Sequence, residues 1–526
     1  MDARVETDAL GAEAALFRHE NKDLLRFIAC GSVDHGKSSL LGRLLYEARL
    51  VHDDQIETLR KDSRRNGSTG EELDFSLLFD GLAAEREQKI TIDLAYRFFA
   101  TEKRKFIVAD APGHEQYTRN MATGASTADL ALILVNAQGG LTQQTRRHAL
   151  IASTFGVRHF VVAVNKMDLV DWSEKAFAAI ERDFRAFAGR LGHPSITFIP
   201  TSARGGDNVV SRSEHMDWYE GPTLLEELET VDVAPRGTQS FRMPVQWVNR
   251  PTAEFRGYCG LIAGDHVRRG MEIRVQPSGQ AARIERIVTA AGELDSASAG
   301  QSVTLTLNND IDVSRGDIIA DASAPAIVSD RIDARIFWMG QGPLAAGGRY
   351  HIKLGSAGAA VTVVDTPRRI DLGGDGESAA AQCLLTNEFG LCRLQIDRAL
   401  AADRYADNRE TGSFILIDPE SHDTVAMGLV EGNAAGATAP SSDTGLLWSV
   451  AKRLMRLFGR RESHTRSVVK AISWRTTGSL DTFVISFIIT GNPTIAGSIA
   501  VTEIATKILL YYFHERIWAL VPWGQR

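Results

Sequence analysis

A short stretch near the start of the sequence has the spacing of a loop that binds phosphate groups. Residues 31–38 read GSVDHGKS, match the pattern GxxxxGK[ST], and lie between the apolar run LLRFIAC and the helix-forming run SSLLGRLLYEARL. The glycines of such a loop let backbone N–H groups turn toward phosphate oxygens, and the following helix N-terminus adds positive potential. The predicted phosphate-binding residues are Gly31, Ser32, Val33, Asp34, His35, Gly36, Lys37 and Ser38. Lys37 is expected to reach the β- and γ-phosphates, and Ser38 to be a ligand of Mg²⁺.

A second group of candidate residues follows the strand-like run KFIVA. It consists of Asp110, Ala111, Pro112, Gly113 and His114. A carboxylate at the end of a strand can hold Mg²⁺ through water, so Asp110 is predicted as a metal ligand and, with Lys37, as a catalytic residue. The Gly113 N–H can sense a γ-phosphate. His114 is the candidate that orients the attacking water, because a histidine near neutrality can accept one of its protons. A structural surface histidine is the alternative.

A third group predicts which base is recognised. Asn165, Lys166, Met167 and Asp168 follow the run FVVAV, and Ser202 and Ala203 come after the next strand-like run. The Asp168 carboxylate can accept hydrogen bonds from both N1–H and the exocyclic amino group of guanine. Adenine offers no such pair of donors in the same place, which favours GTP over ATP.

The segment between the first two groups, residues 80–93, reads DGLAAEREQKITID. Its polar run before Ile-Thr-Ile suits a loop that becomes ordered over the nucleotide. Thr91 is the candidate second Mg²⁺ ligand. The loop that carries it is expected to close over the nucleotide only when a γ-phosphate is present. A solvated helix end that leads into a strand is the alternative.

The elements that must position these groups alternate between strands and helices. Short apolar runs at 25–30, 106–109, 130–135, 159–164 and 196–200 are typical of buried strands, and 38–50, 142–154 and 173–191 suit helices. Strands separated by helices predict an α/β domain with a doubly wound, mostly parallel sheet. After Pro235 short alternating runs recur with Gly and Asp between them, at 303–307, 336–339, 351–354, 361–364, 391–396 and 413–417. They predict two small antiparallel β-barrels.

Composition and charge describe a chain with two unlike parts. The 526 residues contain four cysteines without metal-ligand spacing, which favours a reducing cytosol, and the formal net charge is −7. Residues 1–450 carry −14, residues 451–475 carry +7, and the charges of the last 51 residues cancel. The acidic body argues against nucleic acid as a partner. Residues 431–445 are small and polar, as in a flexible linker.

The order of these motifs resembles the translational GTPase superfamily that includes elongation factor Tu. Longer segments, among them KRKFIVADAPGHEQYTRNMATGAS, NKMDLVDWSE, GDNVVSRSEHMDWYEG and DRYADNRETGSFILID, are similar to the bacterial sulfate adenylyltransferase large subunit over roughly residues 25–430. That resemblance implies a GTPase, with GTP and Mg²⁺ as cofactors, whose turnover drives formation of adenylyl sulfate and diphosphate from ATP and sulfate. It also implies a separate small subunit that holds the adenylyl-transfer site.

The sequence departs from the family pattern at three positions. Lys89 stands where the switch segment usually has glycine, and lysine would be strained by about 1 kcal/mol if that position takes a positive φ. Asn136 replaces an aspartate and Ala111 replaces a threonine, and neither is a presumed phosphate contact. No second GxxxxGK[ST] occurs after Ser38, so we expect no adenylyl-sulfate kinase activity.

The last 60 or so residues predict a membrane anchor. Residues 483–502 contain no charge, and Gly491-Asn492-Pro493 divides the segment into two helices near 471–490 and 494–513, each about the length of one bilayer crossing. The preceding basic segment places the body in the cytoplasm, at the inner face of a bacterial membrane. The tail is also similar to a family of uncharacterised two-helix bacterial membrane proteins. A soluble hairpin or a surface-bound amphipathic anchor is the alternative.

These observations predict an N-terminal extension (1–24), a GTP-binding domain (25–235), two barrels (236–330 and 331–430), a linker with a basic neck (431–463) and a helical hairpin (464–526). The predicted function is that of the GTPase subunit of sulfate adenylyltransferase. One alternative is a translation-factor-like GTPase that binds aminoacyl-tRNA. A third hypothesis is a scaffold with an inactive GTPase core, for which Lys89 is the best support.

Overall fold

The computed structural model describes residues 22–51, 53–66, 73–78, 93–192, 194–233, 240–252, 255–370 and 378–433. Four predicted features lie outside these residues in all or most of their length: the switch segment with Lys89 and Thr91, the N-terminal extension, the linker with its basic neck, and the helical hairpin. The predicted start of the linker at residue 431 was wrong, because residues 431–433 belong to the last strand. Within the described part of the chain, no helix is both long and apolar enough to cross a membrane.

The first part of the chain folds into a six-stranded sheet with the order β2-β3-β1-β4-β5-β6. Its strands are β1 (Leu24–Gly31), β2 (Ala95–Ala100), β3 (Lys105–Asp110), β4 (Leu130–Asn136), β5 (His159–Asn165) and β6 (Ser195–Pro200). All neighbouring pairs are parallel except β2 with β3. The helices are α1 (Lys37–Glu47), α2 (Asp53–Asn66), α3 (Thr118–Thr127), α4 (Gln143–Thr154), α5 (Glu174–Ala188) and α6 (Leu224–Thr230). Short 3₁₀ helices span Phe75–Leu78, Glu115–Tyr117, Met167–Val170 and Gly189–Leu191.

Apolar side chains on both faces of this sheet are buried, because successive residues of each strand point to opposite sides. In β1, Phe27 belongs to the core on one face together with residues of α1 and α6, and Ile28 belongs to the core on the other face together with residues of α3, α4 and α5. This arrangement confirms the predicted doubly wound parallel fold. It also brings the carboxyl ends of β1, β3, β5 and β6 to one edge of the sheet, where all the predicted nucleotide-binding groups follow.

The next part of the chain is a ring of antiparallel strands. They are β7 (Arg242–Pro244), β8 (Trp247–Asn249), β9 (Gly257–Leu261), β10 (Val267–Arg268), β11 (Glu272–Gln276), β12 (Gln280–Thr289), β13 (Gly292–Leu294), β14 (Ser296–Ala297), β15 (Ser302–Leu307) and β16 (Ile318–Asp321). The main sheet runs β7-β16-β11-β12-β15-β9-β8. Arg242 and Ala263 exchange two backbone hydrogen bonds of 2.8 Å, which join β7 to the residues just after β9 and close the ring.

The last described part is a closed six-stranded barrel, as predicted for this region. Its strands follow the order β17-β26-β25-β19-β20-β24, and β17 pairs with β24 to complete the circle. The bounds are β17 (Ile327–Trp338), β18 (Leu344–Ala345), β19 (Arg349–Leu354), β20 (Ala357–Val363), β21 (Arg368–Ile370), β22 (Ser378–Ala380), β23 (Cys383–Leu384), β24 (Phe389–Ala402), β25 (Ser413–Ile417) and β26 (Thr424–Asn433). In the sheet domain, strand β2 and helices α2, α3 and α6 were not among the predicted elements.

Candidate nucleotide-binding site

The phosphate-binding loop connects β1 to α1 with a backbone that two glycines make possible. Gly31 has a φ of 144°, and Gly36, which precedes the first turn of α1, has a φ of 82°. A Cβ on Gly31 would lie 2.6 Å from the Leu134 carbonyl oxygen, and one on Gly36 would lie 2.7 Å from Asn165 Nδ2. Both positions therefore require glycine for conformation and for space.

The Lys37 ammonium lies inside this loop and is buried. Its Nζ donates to the carbonyl oxygens of Gly31 at 3.3 Å and Ser32 at 3.0 Å. Burial lowers the pKa of Lys37, and the nearby Asp110 carboxylate opposes that shift. A buried ammonium that is held by neutral carbonyls favours an anionic group such as a phosphate.

Asp110 ends β3 beside the loop, and its carboxylate is buried. Ser38 Oγ donates to Asp110 Oδ2 at 3.1 Å, so two of the three predicted Mg²⁺ ligands are neighbours. A hydroxyl and a carboxylate are hard oxygen ligands of the kind that Mg²⁺ prefers, and these residues fit that ion.

Gly113 and His114 follow Asp110 at the same edge of the sheet. A Cβ on Gly113 would lie 2.8 Å from Lys37 Nζ and 2.9 Å from the Val33 nitrogen, so the chain passes close to the phosphate loop. The His114 side chain is exposed, and its ring makes an edge-to-face contact with Tyr117 at 6.5 Å. The His114 side chain is therefore open to solvent.

The predicted base-recognition groups also meet. Asn165 Nδ2 donates to the His35 carbonyl at 2.8 Å, while Asn165 Oδ1 accepts from the Ala203 N–H at 2.9 Å. This side chain therefore ties the phosphate loop to the segment after β6. Ser202 Oγ donates to Asp168 Oδ1 at 2.7 Å, which orients the carboxylate that would read guanine. Lys166, between them, takes a left-handed conformation with a φ of 64°.

A cavity of about 970 Å³ is lined by Gly36, Asn165, Lys166, Asp168 and Ala203, and by residues that the sequence did not predict. The Trp172 and His215 rings are stacked at 4.2 Å beside Asp168 in the cavity wall. Arg43 of α1 donates to the Gly205 carbonyl at 2.9 Å and so braces the loop after Ser202. Trp172 and His215 lie in segments that carry the family resemblance, but no motif predicted that either would line the site.

His148 is a further residue that sequence reasoning missed. It lies on α4, is buried, and its Nδ1 accepts the Gly31 N–H at 3.1 Å. Burial lowers the pKa of His148 to about 3, with a smaller contribution from Lys37. The neutral ring is thus a fixed acceptor behind the phosphate loop. Burial also lowers the pKa of His35, whose Nδ1 lies 2.9 Å from the Leu134 carbonyl.

Ala111 and Asn136, the two departures from the family pattern within the described residues, make hydrogen bonds to the backbone near them. Ala111 is buried, and its N–H donates to the Ala29 carbonyl at 3.0 Å. Asn136 Oδ1 accepts from the Gln138 N–H at 3.0 Å and shapes its own turn.

Three parts of the chain match known protein families. Residues 22–233 match the elongation factor Tu GTP binding domain, and residues 331–431 match a family described as GTP-eEF1A C-terminal domain-like. Residues 468–519 match a family described as "Predicted membrane protein (DUF2061)".

Full-length relatives extend the similarity across most of the chain. A sulfate adenylyltransferase subunit 1 of Methylorubrum extorquens is 50% identical over 462 residues, which cover 86% of this chain and 98% of that protein. The subunit 1 of Laribacter hongkongensis is 50% identical over 79% of this chain and 87% of its own length. The subunit 1 of Citrobacter koseri is 50% identical over 80% of this chain and 89% of its own length.

Proposed function

The chain belongs to the sulfate adenylyltransferase subunit 1 family, and on that premise we propose that it is the GTPase subunit of a sulfate adenylyltransferase. In this role GTP hydrolysis drives the formation of adenylyl sulfate and diphosphate from ATP and sulfate. A sulfate–phosphate mixed anhydride is steeply uphill to form, so the reaction needs a second hydrolysis. The observation that carries the proposal is the 50% identity that spans 98% of a subunit 1 relative. The translation-factor alternative has only the shared GTP-binding domain and barrel in its favour.

Binding of GTP is assigned to the edge of the sheet where the predicted groups meet. The loop N–H groups and Lys37 hold the phosphates, and Asp168 reads N1–H and the amino group of guanine. Asn165, Ser202 and Ala203 keep the base pocket in shape through the hydrogen bonds described above.

Metal binding is assigned to Ser38 and Asp110, with Thr91 as a further ligand from outside the described residues. Bound Mg²⁺ would neutralise charge on the β- and γ-phosphates. The Ser38–Asp110 hydrogen bond of 3.1 Å supports this assignment, because it keeps the two ligand oxygens next to each other.

Hydrolysis is assigned to three groups of this chain. His114 orients the attacking water, Lys37 stabilises the charge that develops on the phosphate oxygens, and the Gly113 N–H contacts the γ-phosphate. The exposed position of His114 and the close approach of Gly113 to Lys37 support these roles.

Reconstitution with a small subunit tests the proposal. The full chain is co-purified with the small subunit of a related bacterial enzyme, and adenylyl sulfate is measured with ATP and sulfate, with and without GTP. Product is expected only in the complex, at a rate that GTP raises. H114A should keep GTP affinity and lose GTP-dependent product, whereas H266A, an exposed histidine of the first barrel, should behave as the parent. No product from the reconstituted pair would refute the function, and a normal GTPase rate would dismiss the inactive scaffold.

A membrane tether formed by residues 464–526 is part of the same proposal. The match of residues 468–519 to a family of predicted membrane proteins supports it, as does the basic segment just before it. The tether would place a cytoplasmic GTPase body at the inner face of the membrane, with the hairpin in contact with lipid.

Alkaline carbonate extraction separates the three possible states of this tail. The full chain is expected to stay in the membrane pellet, and the variant I488R/I499R, which puts a charge in each predicted helix, is expected to be released. Release of the parent chain by carbonate would indicate surface attachment, and its absence from untreated membranes would indicate a soluble tail.

A further inference from the structure

A second cavity, of about 830 Å³, lies where the GTP-binding domain meets the two rings of strands. Its wall combines the end of α4 and the residues after it, the start of β7, and the segment that joins β24 to β25. The polar lining residues include Ser153, Thr154, Arg158, Arg242, Arg335, Asp403, Arg404, Asp407, Asn408, Arg409 and Glu431. No residue of the predicted nucleotide site is among them.

The charge of this lining is unbalanced. Each of its three carboxylates is already in an ion pair: Asp403 with Arg242 at 2.8 Å, Asp407 with Arg404 at 2.6 Å, and Glu431 with Arg335 at 2.9 Å. Two more arginines, Arg158 and Arg409, line the cavity, and no described carboxylate lies within ion-pair distance of either. Arg158 donates to the Gly192 carbonyl at 2.9 Å, and Arg409 donates to the Ala128 carbonyl at 3.1 Å. The described lining therefore carries a surplus of two positive charges.

Glu410 is an acidic residue outside this lining that interacts electrostatically with Arg409. The surplus of two positive charges therefore refers to the residues that line the cavity.

Two buried donors of the same lining have no acceptor. Arg335 Nε and Asn408 Nδ2 are buried, and neither makes a hydrogen bond. The orientation of the Asn408 amide is fixed, because its Oδ1 accepts from the N–H groups of Glu410 at 3.0 Å and Thr411 at 3.2 Å. Asn408 is only 4% exposed. Buried donors without acceptors cost free energy, and they mark a place where a bound acceptor would be favourable.

We propose that this cavity binds a tetrahedral oxyanion, a sulfate or phosphate group, separately from the nucleotide site. A guanidinium presents parallel N–H donors that match two oxygens of such an anion. Arg158 and Arg409 supply the charge, while Arg335 and Asn408 add donors without acceptors to the same lining. The site does not depend on the sulfate adenylyltransferase reaction.

The position of the site connects it to the phosphate loop. Arg409 and Tyr405 both donate to the carbonyl of Phe155, which follows the last residue of α4, with 2.7 Å for the tyrosine bond. His148, further back on the same helix, accepts the Gly31 N–H. One helix therefore contacts the oxyanion site at its end and the phosphate loop in its middle. Occupancy of the cavity is expected to change the rate of GTP turnover.

Calorimetric titration of the full chain tests the proposal. Sodium sulfate and sodium phosphate are titrated in separate arms against sodium chloride at constant ionic strength. Mg²⁺ and a saturating non-hydrolysable GTP analogue are present, so that the phosphate loop cannot take the anion. One saturable site is expected for at least one of the two anions, and the arm that saturates identifies its chemistry.

Three variants make the test specific. R158Q removes one surplus charge and is expected to weaken binding about tenfold, and N408D, which turns the unpaired donor into an acceptor, should abolish it. R182Q changes an exposed arginine of the same domain outside the cavity and should bind like the parent. Thermal midpoints without anion check that each variant is folded. Absence of saturable binding in both arms, or equal affinity of R158Q, N408D and the parent, would overturn the proposal.

Discussion

Removal of the Ser202 hydroxyl is expected to weaken GTP binding by loosening the carboxylate that reads the base. Ser202 Oγ donates to Asp168 Oδ1 at 2.7 Å and accepts from the Gly205 N–H at 3.1 Å. S202A therefore frees the Asp168 side chain and leaves one backbone donor without its partner. GTP bound in the pocket would meet a carboxylate with more than one orientation.

The size of the effect follows from the type of hydrogen bond that is lost. Hydrogen bonds to a charged group are worth about 1.5–3 kcal/mol, and Asp168 is partly exposed, which places this bond at the lower end. A loss of about 1.5 kcal/mol corresponds to a roughly tenfold higher Kd for GTP. The turnover rate at saturating GTP should not change, since Ser202 does not contact the phosphate loop.

Competition between GTP and ITP gives the sharper assay. Hypoxanthine keeps the N1–H of guanine but lacks the exocyclic amino group, so only GTP gains when Asp168 is held in the orientation that accepts both donors. Fluorescent-nucleotide displacement with each triphosphate should show a smaller GTP/ITP preference in S202A than in the parent chain.

The matched control is S323A, which removes a similar bond, from Ser323 Oγ to Asp321 Oδ1 at 2.7 Å, outside the GTP-binding domain, and leaves Asp168 untouched. It should keep the parent affinity and the parent preference. Unchanged GTP affinity and GTP/ITP preference in folded S202A, or a loss confined to the turnover rate, would refute the idea that Ser202 positions the base reader.

Three further changes have defined outcomes. G113A puts a methyl group 2.8 Å from Lys37 Nζ, so single-turnover phosphate release should fall by roughly 100-fold, and an unchanged rate would contradict the close approach. Burial lowers the pKa of His148 from 6.5 to about 3, so its contribution to stability is present above pH 6.5 and is lost as the pH falls toward 3. The free energy of unfolding should change by up to about 1.4 kcal/mol per pH unit in this range. In urea titrations, H148Q should make the free energy of unfolding less dependent on pH between pH 7 and pH 5. Y405F removes the bond to the Phe155 carbonyl and should lower the free energy of unfolding by about 1 kcal/mol in urea titrations, and no loss would mean that this contact does not stabilise the domain junction.

The clustering of the candidate nucleotide-binding groups could be predicted because each group is local in the sequence. The loop that ends at Lys37 is specified by glycines at positions that need a positive φ, and each of the other groups directly follows a recognisable buried strand. Parallel strands bring their carboxyl ends to one edge, so recognising the strands was enough to predict that Asp110, Asp168 and Ser202 approach the loop. The candidate ligand Thr91 lies outside the described residues and stays a prediction.

The elements and residues that the sequence did not predict have no local sequence signal. Helix α3 has no acidic residue in its first turn and no side-chain cap to mark its start. Strand β2 is an edge strand whose Tyr96 and Phe98 are exposed, which blurs the alternation expected of a half-buried strand. His148 has no motif of its own, since a histidine at that spacing on a helix is indistinguishable from any other core residue.

The amino-acid sequence by itself determined the class of ligand, the order of the sheet domain and the barrel, and the family. Tertiary structure decided which distant residues support that site. Gly31 and His148 are 117 positions apart, and Phe155 and Tyr405 are 250 apart. The cavity at the domain junction likewise exists only because Arg158, Arg335 and Arg409 arrive on three separate elements. Local patterns specify backbone conformation and burial, whereas contacts of this kind depend on how whole elements pack, and no short-range spacing in the sequence encodes that packing.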